Sequence, residues 1–254
     1  DTVRFNPALV ANPMFRQTGI TADSVLFTNL TPGTTYYAYI RGICGAADTS
    51  VWSSYTKVET SYGVPYLETF DLINETYPTS SWKVFKQTVP SGDFSTAGFK
   101  VSSASTHMSI QKTDNRMSNM AGKVARTEVY SATYNGFLQS PAIDLSNVAD
   151  GLGIQLSFRA GMVPFSSSTT TLADMTGRTF RVYVSEDGGE TFKAENVIEW
   201  NCEGTGDYDY ATLNNNAGTK FLIDLSDYVG KTISLGFYSA STVSAPDAYL
   251  LIDS

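Results

Sequence analysis

Acidic side chains occur in pairs within turn-like segments, and paired carboxylates are groups that could do chemistry. Glu186 and Glu190 fall in one such segment, and Asp207 and Asp209 fall in another. Two carboxyl groups placed across a glycosidic bond can hydrolyse it, one as the acid and the other as the base or nucleophile. Both segments are rich in glycine and offer no apolar setting that would keep a carboxylic acid protonated. We therefore expect solvated loop acids here.

The single histidine, His107, lies in the polar segment Ser105-Thr106-His107-Met108. A Ser-His-Asp triad also needs a nucleophile, and the chain has no nucleophile elbow. One histidine also excludes a metal site built from several histidines. We interpret His107 as a surface-loop residue and predict that these residues are not an enzyme.

Aromatic residues near the predicted loops and strand ends are the candidate ligand contacts. Aromatic rings stack on sugars and anchor protein interfaces. The rings that fall in loops or at strand ends are those of Tyr208, Tyr210, Tyr134, Tyr130 and Phe165, and the first three are the predicted ligand-binding residues. Because a sandwich this rich in aromatic residues must bury most of its rings, the alternative for each of them is a place in the core or at its rim.

Composition and charge exclude several classes of partner. The 254 residues carry a formal net charge of -8, and the sequence has no cluster of Lys and Arg. Such a chain repels phosphate backbones and anionic lipid head groups, so we expect neither nucleic acid binding nor docking on membranes. No apolar run approaches the roughly 20 residues of a membrane span. The sequence therefore predicts no direct membrane insertion.

The chain contains two cysteines, Cys44 and Cys202, far apart in the sequence. They are either two separate thiols or one bridge between the N-terminal unit and the rest. Neither belongs to a CxxC motif, so structural zinc is not expected.

Alternation of apolar and polar residues dominates the second half of the chain. Ile154–Ala160, Phe180–Ser185 and Ile233–Tyr238 each alternate with period two, and turn residues separate them. This pattern predicts an all-β protein built as an antiparallel sandwich. Helical periodicity is nearly absent, and we expect at most one short helical turn, near Leu225–Val229.

The N-terminal unit has a turn directly before an alternating strand. Pro32 and Gly33 supply the turn, and Tyr36–Arg41 alternate after it. The segment resembles the corner of a fibronectin type III sandwich, in which a tyrosine directly after such a turn hydrogen-bonds back across the corner. The resemblance covers only the C-terminal half of such a module, over 1–61, and we expect a fragment of a longer protein. Residues 62–65 are the predicted linker.

The remainder, 66–254, contains an ordered set of motifs. They are Pro65–Asp71 with Trp82, Phe137–Leu145, Val182–Phe192, Ile223–Phe237 and Tyr249–Asp253. The set resembles the jelly-roll adhesin domain called choice-of-anchor J or cleaved adhesin, which is related to MAM-type sandwiches and gingipain adhesins. The resemblance implies a jelly roll, truncated here at its C-terminus, in a secreted or cell-surface protein of Bacteroidetes, with an outer-membrane association possible for the parent.

The resemblance also implies a structural calcium ion. Related adhesin domains clip their first and last strands with Ca²⁺, which prefers oxygen ligands. The corresponding positions here are Asp71, with Glu68 as its neighbour, and Asp253. The acidic loop Asp207–Asp209 is a second candidate.

Ser185–Phe192 matches the Asp-box pattern found in sialidases. A glycosidase is one interpretation. The other, which we favour, is a hairpin turn in which Asp187 binds backbone amides, Gly188 and Gly189 take positive φ, and Phe192 anchors the following strand.

Three functions remain as hypotheses. The first is a non-catalytic surface adhesin that binds an extracellular glycan or protein. The second is an accessory region of a secreted peptidase or glycosidase whose catalytic domain lies outside these residues. The third is a structural subunit of an outer-membrane or secretion-associated assembly, held by contacts with other subunits.

Overall fold

The structure is a computed structural model. It describes residues 15–45, 48–70, 82–86, 100–101, 108–113, 117–120, 122–130, 136–149, 151–165, 172, 174–193, 197–215, 217–244 and 246–254. The chain divides into two compact units, 1–60 and 61–254. Each unit is described separately below.

The first unit contains two small antiparallel ladders. Its strands are β1 (Thr35–Ala38), β2 (Ile43–Gly45), β3 (Asp48–Thr49) and β4 (Thr56–Glu59). Strand β1 pairs with β4, and β2 pairs with β3. None of the described residues of this unit is buried. The unit therefore has no enclosed core among those residues.

Hydrogen bonds fix the turn that precedes β1. The Tyr36 hydroxyl accepts a bond of 2.9 Å from the Thr31 N–H, five residues upstream. Thr60 donates from its hydroxyl to the Thr31 carbonyl at 2.6 Å and accepts from the Thr34 N–H at 2.9 Å. Gly33 has φ of 60°, which a residue with a Cβ rarely adopts. The Pro-Gly turn is therefore held by one side chain from β1 and one from the residue that follows β4.

The second unit holds the remaining strands. They are β5 (Tyr62–Gly63), β6 (Lys83–Lys86), β7 (Lys100–Val101), β8 (Met108–Thr113), β9 (Lys123–Val129), β10 (Gly136–Gln139), β11 (Ile143–Asp144), β12 (Gln155–Pro164), β13 (Arg178–Ser185), β14 (Val197–Asn201), β15 (Tyr208–Asp209), β16 (Thr219–Asp224), β17 (Thr232–Ser241) and β18 (Ala248–Asp253).

These strands form two sheets. The large sheet has nine strands in the order β15-β14-β13-β17-β10-β6-β7, with β11 and β5 attached beside β17. The small sheet has five strands in the order β16-β12-β18-β9-β8. Among the strand pairs of the described residues, β11–β5 and β14–β15 are parallel and the others are antiparallel. The predicted all-β sandwich is confirmed.

The apolar faces of the two sheets enclose one core. Phe158 of β12 lies in the small sheet, and its ring contacts three rings of the large sheet. Those rings are Phe180, Trp200 and Phe237, with centroids 6.2, 6.1 and 5.6 Å away. Because residues i and i+2 of a strand share a face, the alternation in the sequence already placed these side chains inward.

Smaller apolar clusters cover the outer face of each sheet. On the large sheet, Phe192 packs on Phe137 beside Tyr183 and Tyr238. On the small sheet, Met117 and Met120 are buried together with Val124, Val163 and Leu251. Both sheets are therefore covered on two sides over part of their area.

Two predictions about local structure have different outcomes. The helical turn near Leu225 is confirmed as a 3-10 helix at Ser226–Tyr228, and a second one at Tyr210–Leu213 was not expected. The predicted linker 62–65 is wrong at its start. Tyr62 and Gly63 form β5, which pairs with β11, and the Tyr62 N–H donates to the Ala142 carbonyl at 2.8 Å.

Among the residues that the structure describes, no helix is long and apolar enough to cross a membrane.

Candidate functional site

The Asp187 turn connects β13 with the segment leading to β14. One carboxylate oxygen of Asp187 accepts from the Glu190 and Thr191 N–H groups at 3.0 and 2.9 Å, and from the Ser185 hydroxyl at 2.6 Å. The other oxygen accepts from the Thr191 hydroxyl at 2.6 Å. Gly188 and Gly189 have φ of 73° and 98°. The predicted hairpin turn is confirmed.

These hydrogen bonds also decide the ionisation of Asp187. Partial burial opposes the charged form, but the bonds from Ser185, Thr191 and Glu190 outweigh it and lower the pKa of Asp187 to about 2. A carboxylate that accepts several N–H and O–H bonds is stabilised as the anion. Asp187 therefore remains charged throughout the neutral and mildly acidic range, which suits a turn anchor and does not suit a proton donor.

Hydrogen bonds connect the Asp187 turn to the large sheet. The Gly188 N–H donates to the Thr232 carbonyl at 2.8 Å, and Gln139 donates to the Gly189 carbonyl at 3.2 Å. A Cβ on Gly189 would lie 2.1 Å from the terminal nitrogen of Gln139 and 3.1 Å from the Ser234 Cβ, and the φ of 98° is itself strained for any residue with a Cβ. The Asp-box sequence therefore builds a rigid connection between strands.

A small depression of about 160 Å³ lies beside this turn, lined by Val184, Glu186, Asp187, Thr191 and Lys193. Pockets that take small-molecule ligands have volumes of about 300–1,000 Å³. The depression is therefore too small for a substrate-binding cleft.

The paired acids of the sequence have separate structural partners. Glu186 forms an ion pair of 2.9 Å with Lys231, and Asp207 accepts from the Glu199 N–H at 2.9 Å. Asp209 caps the 3-10 helix by accepting from the Ala211 N–H at 2.8 Å. These contacts support the expectation that the acids stabilise loops. His107 lies outside the described residues.

The two described members of the predicted set of ligand-binding tyrosines, Tyr208 and Tyr210, do not form an exposed site. Tyr210 is completely buried, and its hydroxyl lies 3.6 Å from the Met162 sulfur, so the prediction that its ring is exposed is wrong. The 3-10 helix that begins at Tyr210 turns this ring into the core, and burial raises the pKa of its hydroxyl. Tyr208 is half-buried and stacks on Trp200 at 4.7 Å between centroids. Tyr134 lies outside the described residues.

Two of the predicted calcium ligands are described. The Glu68 oxygens accept from the Phe70 N–H at 2.7 Å and from the Trp82 ring N–H at 3.1 Å. Asp253 is only 8% exposed, and one of its oxygens accepts from the Ser254 N–H at 2.8 Å. Asp71 lies outside the described residues. Within the described ranges, no three His, Cys, Asp or Glu side chains are grouped closely enough to hold a metal ion.

Both cysteines are free thiols. Cys202 donates to the Met175 carbonyl at 3.0 Å, and burial, reinforced by Glu203 and Asp209, raises the pKa of its thiol. The reactive thiolate is consequently disfavoured at Cys202.

An exposed group of tyrosines lies on one face of the β1–β4 ladder. Tyr37 and Tyr55 contact each other edge to face at 5.2 Å, and Tyr39 lies 6.2 Å from Tyr55. Tyr37 and Tyr55 are 56% and 58% exposed, and Lys57 lies opposite Tyr37 in the ladder. We call Tyr37, Tyr39, Tyr55 and Lys57 the tyrosine face. The sequence signal was two tyrosines at i and i+2, but only the strand register brings Tyr55 to them.

Fold and surface together define a two-unit β protein with a sandwich in its larger unit. No protein-family model matches the chain, and no curated protein matches it. Among solved structures, it is similar to a cleaved adhesin domain of Lys-gingipain from Porphyromonas gingivalis, with 15% identity, a TM-score of 0.42, and 74% of this chain and 94% of that chain covered.

Two further solved structures are similar. A second cleaved adhesin domain of Lys-gingipain has 11% identity, a TM-score of 0.37 and coverage of 74% and 94%. The enzymatically active domain of a tailspike protein of bacteriophage CBA120 has 11% identity and a TM-score of 0.39, with 71% of this chain and 20% of that chain covered.

Proposed function

We propose that these residues form a non-catalytic binding module of a secreted or cell-surface protein, and that the tyrosine face contacts an extracellular glycan or protein. The observation that carries the proposal is the group of three tyrosines in which Tyr55 contacts both Tyr37 and Tyr39, with Tyr37 and Tyr55 more than half exposed. Tyrosine provides a large apolar ring and a hydroxyl at low entropic cost, which is why it is frequent at binding surfaces.

The arrangement of the three rings favours a ligand that contacts both faces and edges. Tyr37 and Tyr55 are nearly perpendicular, with an angle of 87° between their planes. One ring therefore presents its face where the other presents its edge. Lys57 adds a cation beside them, which suits an uncharged or acidic ligand.

The acids support the same interpretation. Of the four acids in the two candidate pairs, Asp207 and Asp209 are bound to backbone N–H groups and Glu186 to Lys231, and Asp187 is held as an anion by the turn around it. General acid catalysis needs a carboxyl group that keeps its proton near neutral pH. A binding role places no such demand on these residues.

The test is binding of the full chain to a glycan array and to a panel of extracellular matrix proteins. We expect binding in the wild type and a loss of about tenfold or more in the double variant Tyr37→Ala/Tyr55→Ala, since anchor residues each contribute about 1–2 kcal/mol. Val51→Ala is the matched control, because Val51 is 88% exposed in the same unit and lies outside the tyrosine face. Equal binding by all three proteins, or none by the wild type, contradicts the proposal.

We also propose that a structural Ca²⁺ stabilises the second unit, with Asp71, Glu68 and Asp253 as ligands. The support is the low exposure of residue Asp253 and the fixed position of Glu68. Calcium accepts six to eight oxygen ligands, so these three side chains would need carbonyls or waters beside them. The ion would contribute stability and no chemistry.

Thermal unfolding with added Ca²⁺ and with chelator tests this second proposal. A ligand that binds only the folded state raises the melting temperature. We expect the increase in the wild type and in Asp227→Asn, an exposed control carboxylate, but not in Asp253→Asn. Each variant is compared with and without the ion, so a general loss of stability does not affect the outcome. A wild type that does not respond to Ca²⁺ contradicts the proposal.

A further inference from the structure

The strand β16 forms one edge of the small sheet. Within the part of the chain that the structure describes, its only neighbouring strand is β12, and the two run antiparallel with Gln155 opposite Asp224 and Ala160 opposite Thr219. An edge strand has backbone N–H and C=O groups that can pair with another chain. The edge of β16 can therefore pair with a strand of another chain.

The register shows which backbone groups of β16 point away from β12. Just beyond the strand, the Leu225 N–H donates to the Ile154 carbonyl at 2.8 Å. In an antiparallel pair the hydrogen-bonded residues alternate, so Phe221 and Ile223 also face β12. Lys220, Leu222 and Asp224 therefore direct their backbone groups to the open side.

The same three residues are the exposed ones. The burial of β16 alternates strictly, with Phe221 and Ile223 in the core and Lys220, Leu222 and Asp224 exposed. Leu222 is 50% exposed, at the middle of the strand. The open edge thus presents an apolar residue between a cation and an anion.

This order of side chains is complementary to itself. When two copies of β16 lie antiparallel with Leu222 opposite Leu222, each Lys220 faces the Asp224 of the other copy. All the facing residues are then those with outward backbone groups, so each pair can exchange N–H···O=C bonds. A register shifted by two residues places Lys220 opposite Leu222 and removes both charge pairs.

Asp224 is held as a charged group ready for such a contact. One of its oxygens accepts from the Ser226 N–H at 2.9 Å and from the Ser226 hydroxyl at 2.5 Å. These bonds lower the pKa of Asp224. Its other carboxylate oxygen remains available to an ammonium group.

We propose that β16 is a homodimerisation edge, at which two copies of this chain pair antiparallel about Leu222 and join their small sheets. The contact is isologous, since the same strand serves both copies and the pairing closes on itself. A single pair of short strands buries a small area, so we expect a weak dimer, formed at micromolar or higher concentration.

Sedimentation velocity of the full chain from micromolar to millimolar concentration tests the proposal. Lys220→Asp places like charges opposite each other at both symmetric positions, and we expect the dimer dissociation constant to rise about tenfold or more. Asp224→Lys has the same effect by the same argument. The double reversal Lys220→Asp/Asp224→Lys again pairs opposite charges and restores the wild-type dissociation constant.

Two further variants keep the test decisive. Leu222→Lys brings two ammonium groups together at the symmetry axis and abolishes the dimer without altering Asp224. Arg16→Asp makes the same charge change as Lys220→Asp at an exposed position in the other unit and leaves dimerisation unchanged. Circular dichroism confirms that each variant is folded. A wild type that stays monomeric, a dimer insensitive to Lys220→Asp and Leu222→Lys, or a folded double reversal that does not restore pairing overturns the proposal.

Discussion

The two units of the chain share an alternating pattern of side chains, but they bury it differently. In the second unit two sheets face each other, and the inward residues of both form a core in which Phe180, Val182 and Trp200 are completely buried. In the first unit Tyr36 and Val58 lie opposite each other on one face of the β1–β4 ladder, and neither is buried.

Alternation of side chains determines which face of a sheet is apolar, but that face is buried only when a second layer packs against it. A sheet is apolar on one face and must pack that face against another element to remove it from water. The β13–β17 and β12–β18 ladders provide such a pair of layers. Among the described residues of the first unit, no comparable second sheet covers the β1–β4 ladder. In the first unit, hydrogen bonds between residues close in sequence, such as the one between Tyr36 and Thr31, therefore hold the structure more than burial does.

Removing the central ring of the core has the largest expected effect. Phe158→Ala deletes a ring that contacts Phe221 at 5.5 Å as well as three rings of the opposite sheet. We expect the free energy of unfolding of the second unit to fall by about 3–5 kcal/mol. Urea denaturation followed by tryptophan fluorescence measures it. A loss below about 1 kcal/mol would show that the sheets are not held together by this core.

A matched pair of substitutions compares the units directly. Val182→Ala removes two methyl groups from a fully buried site, and Val58→Ala removes the same groups from a site that is 45% exposed. We expect a loss of about 2–3 kcal/mol for Val182→Ala and less than about 0.5 kcal/mol for Val58→Ala. The measurement is urea unfolding of each variant, with the first unit followed by hydrogen exchange. Equal losses would contradict the contrast between the two units.

The Asp187 turn is expected to contribute less than the core. Asp187→Asn keeps the shape of the side chain but weakens its bonds to Thr191 and Glu190, and we expect a loss of about 1–2 kcal/mol at neutral pH. Because the folded-state pKa of Asp187 lies below its ordinary value of 3.8, the stabilisation is complete above pH 3.8 and disappears as the pH falls to about 2.

The difference in unfolding free energy between the wild type and Asp187→Asn should therefore shrink across that acidic range. Asp227→Asn, an exposed carboxylate for which the structure gives no hydrogen bond, is the control. A difference that stays constant from neutral pH to pH 2 would mean that the charge of Asp187 does not hold the turn.

Removal of one hydroxyl group tests the first unit alone. Tyr36→Phe removes the hydroxyl that accepts from the Thr31 N–H and leaves the ring in place. We expect a loss of about 0.5–1 kcal/mol, because the bond is exposed and water can replace it. Hydrogen exchange at Thr31 is the measurement, and Tyr37→Phe on the opposite face is the control. Unchanged exchange at Thr31 in Tyr36→Phe would contradict this role.

Much of the fold could be predicted from the sequence because it depends on short-range patterns. The strands at Phe180–Ser185 and Ile233–Tyr238, the helical turn after Leu225 and the Asp187 turn all follow from period two or from Gly and Asp at fixed spacing. The candidate site could not be predicted in this way. Tyr210 looked like a loop residue, but a 3-10 helix capped by Asp209 rotates it into the core.

Local patterns in the sequence predict that the chain forms sheets, which faces of the main strands are apolar, and where the Asp187 turn lies. Each of these features depends on residues that are close together in the chain. Which tyrosines are exposed follows only from the tertiary structure, as does the pairing of Tyr62 with β11. The same holds for the position of β16 at the edge of the described small sheet, where Lys220 and Asp224 are exposed. These outcomes depend on which distant strands pair and in what register, and a local pattern carries no information about its distant partner.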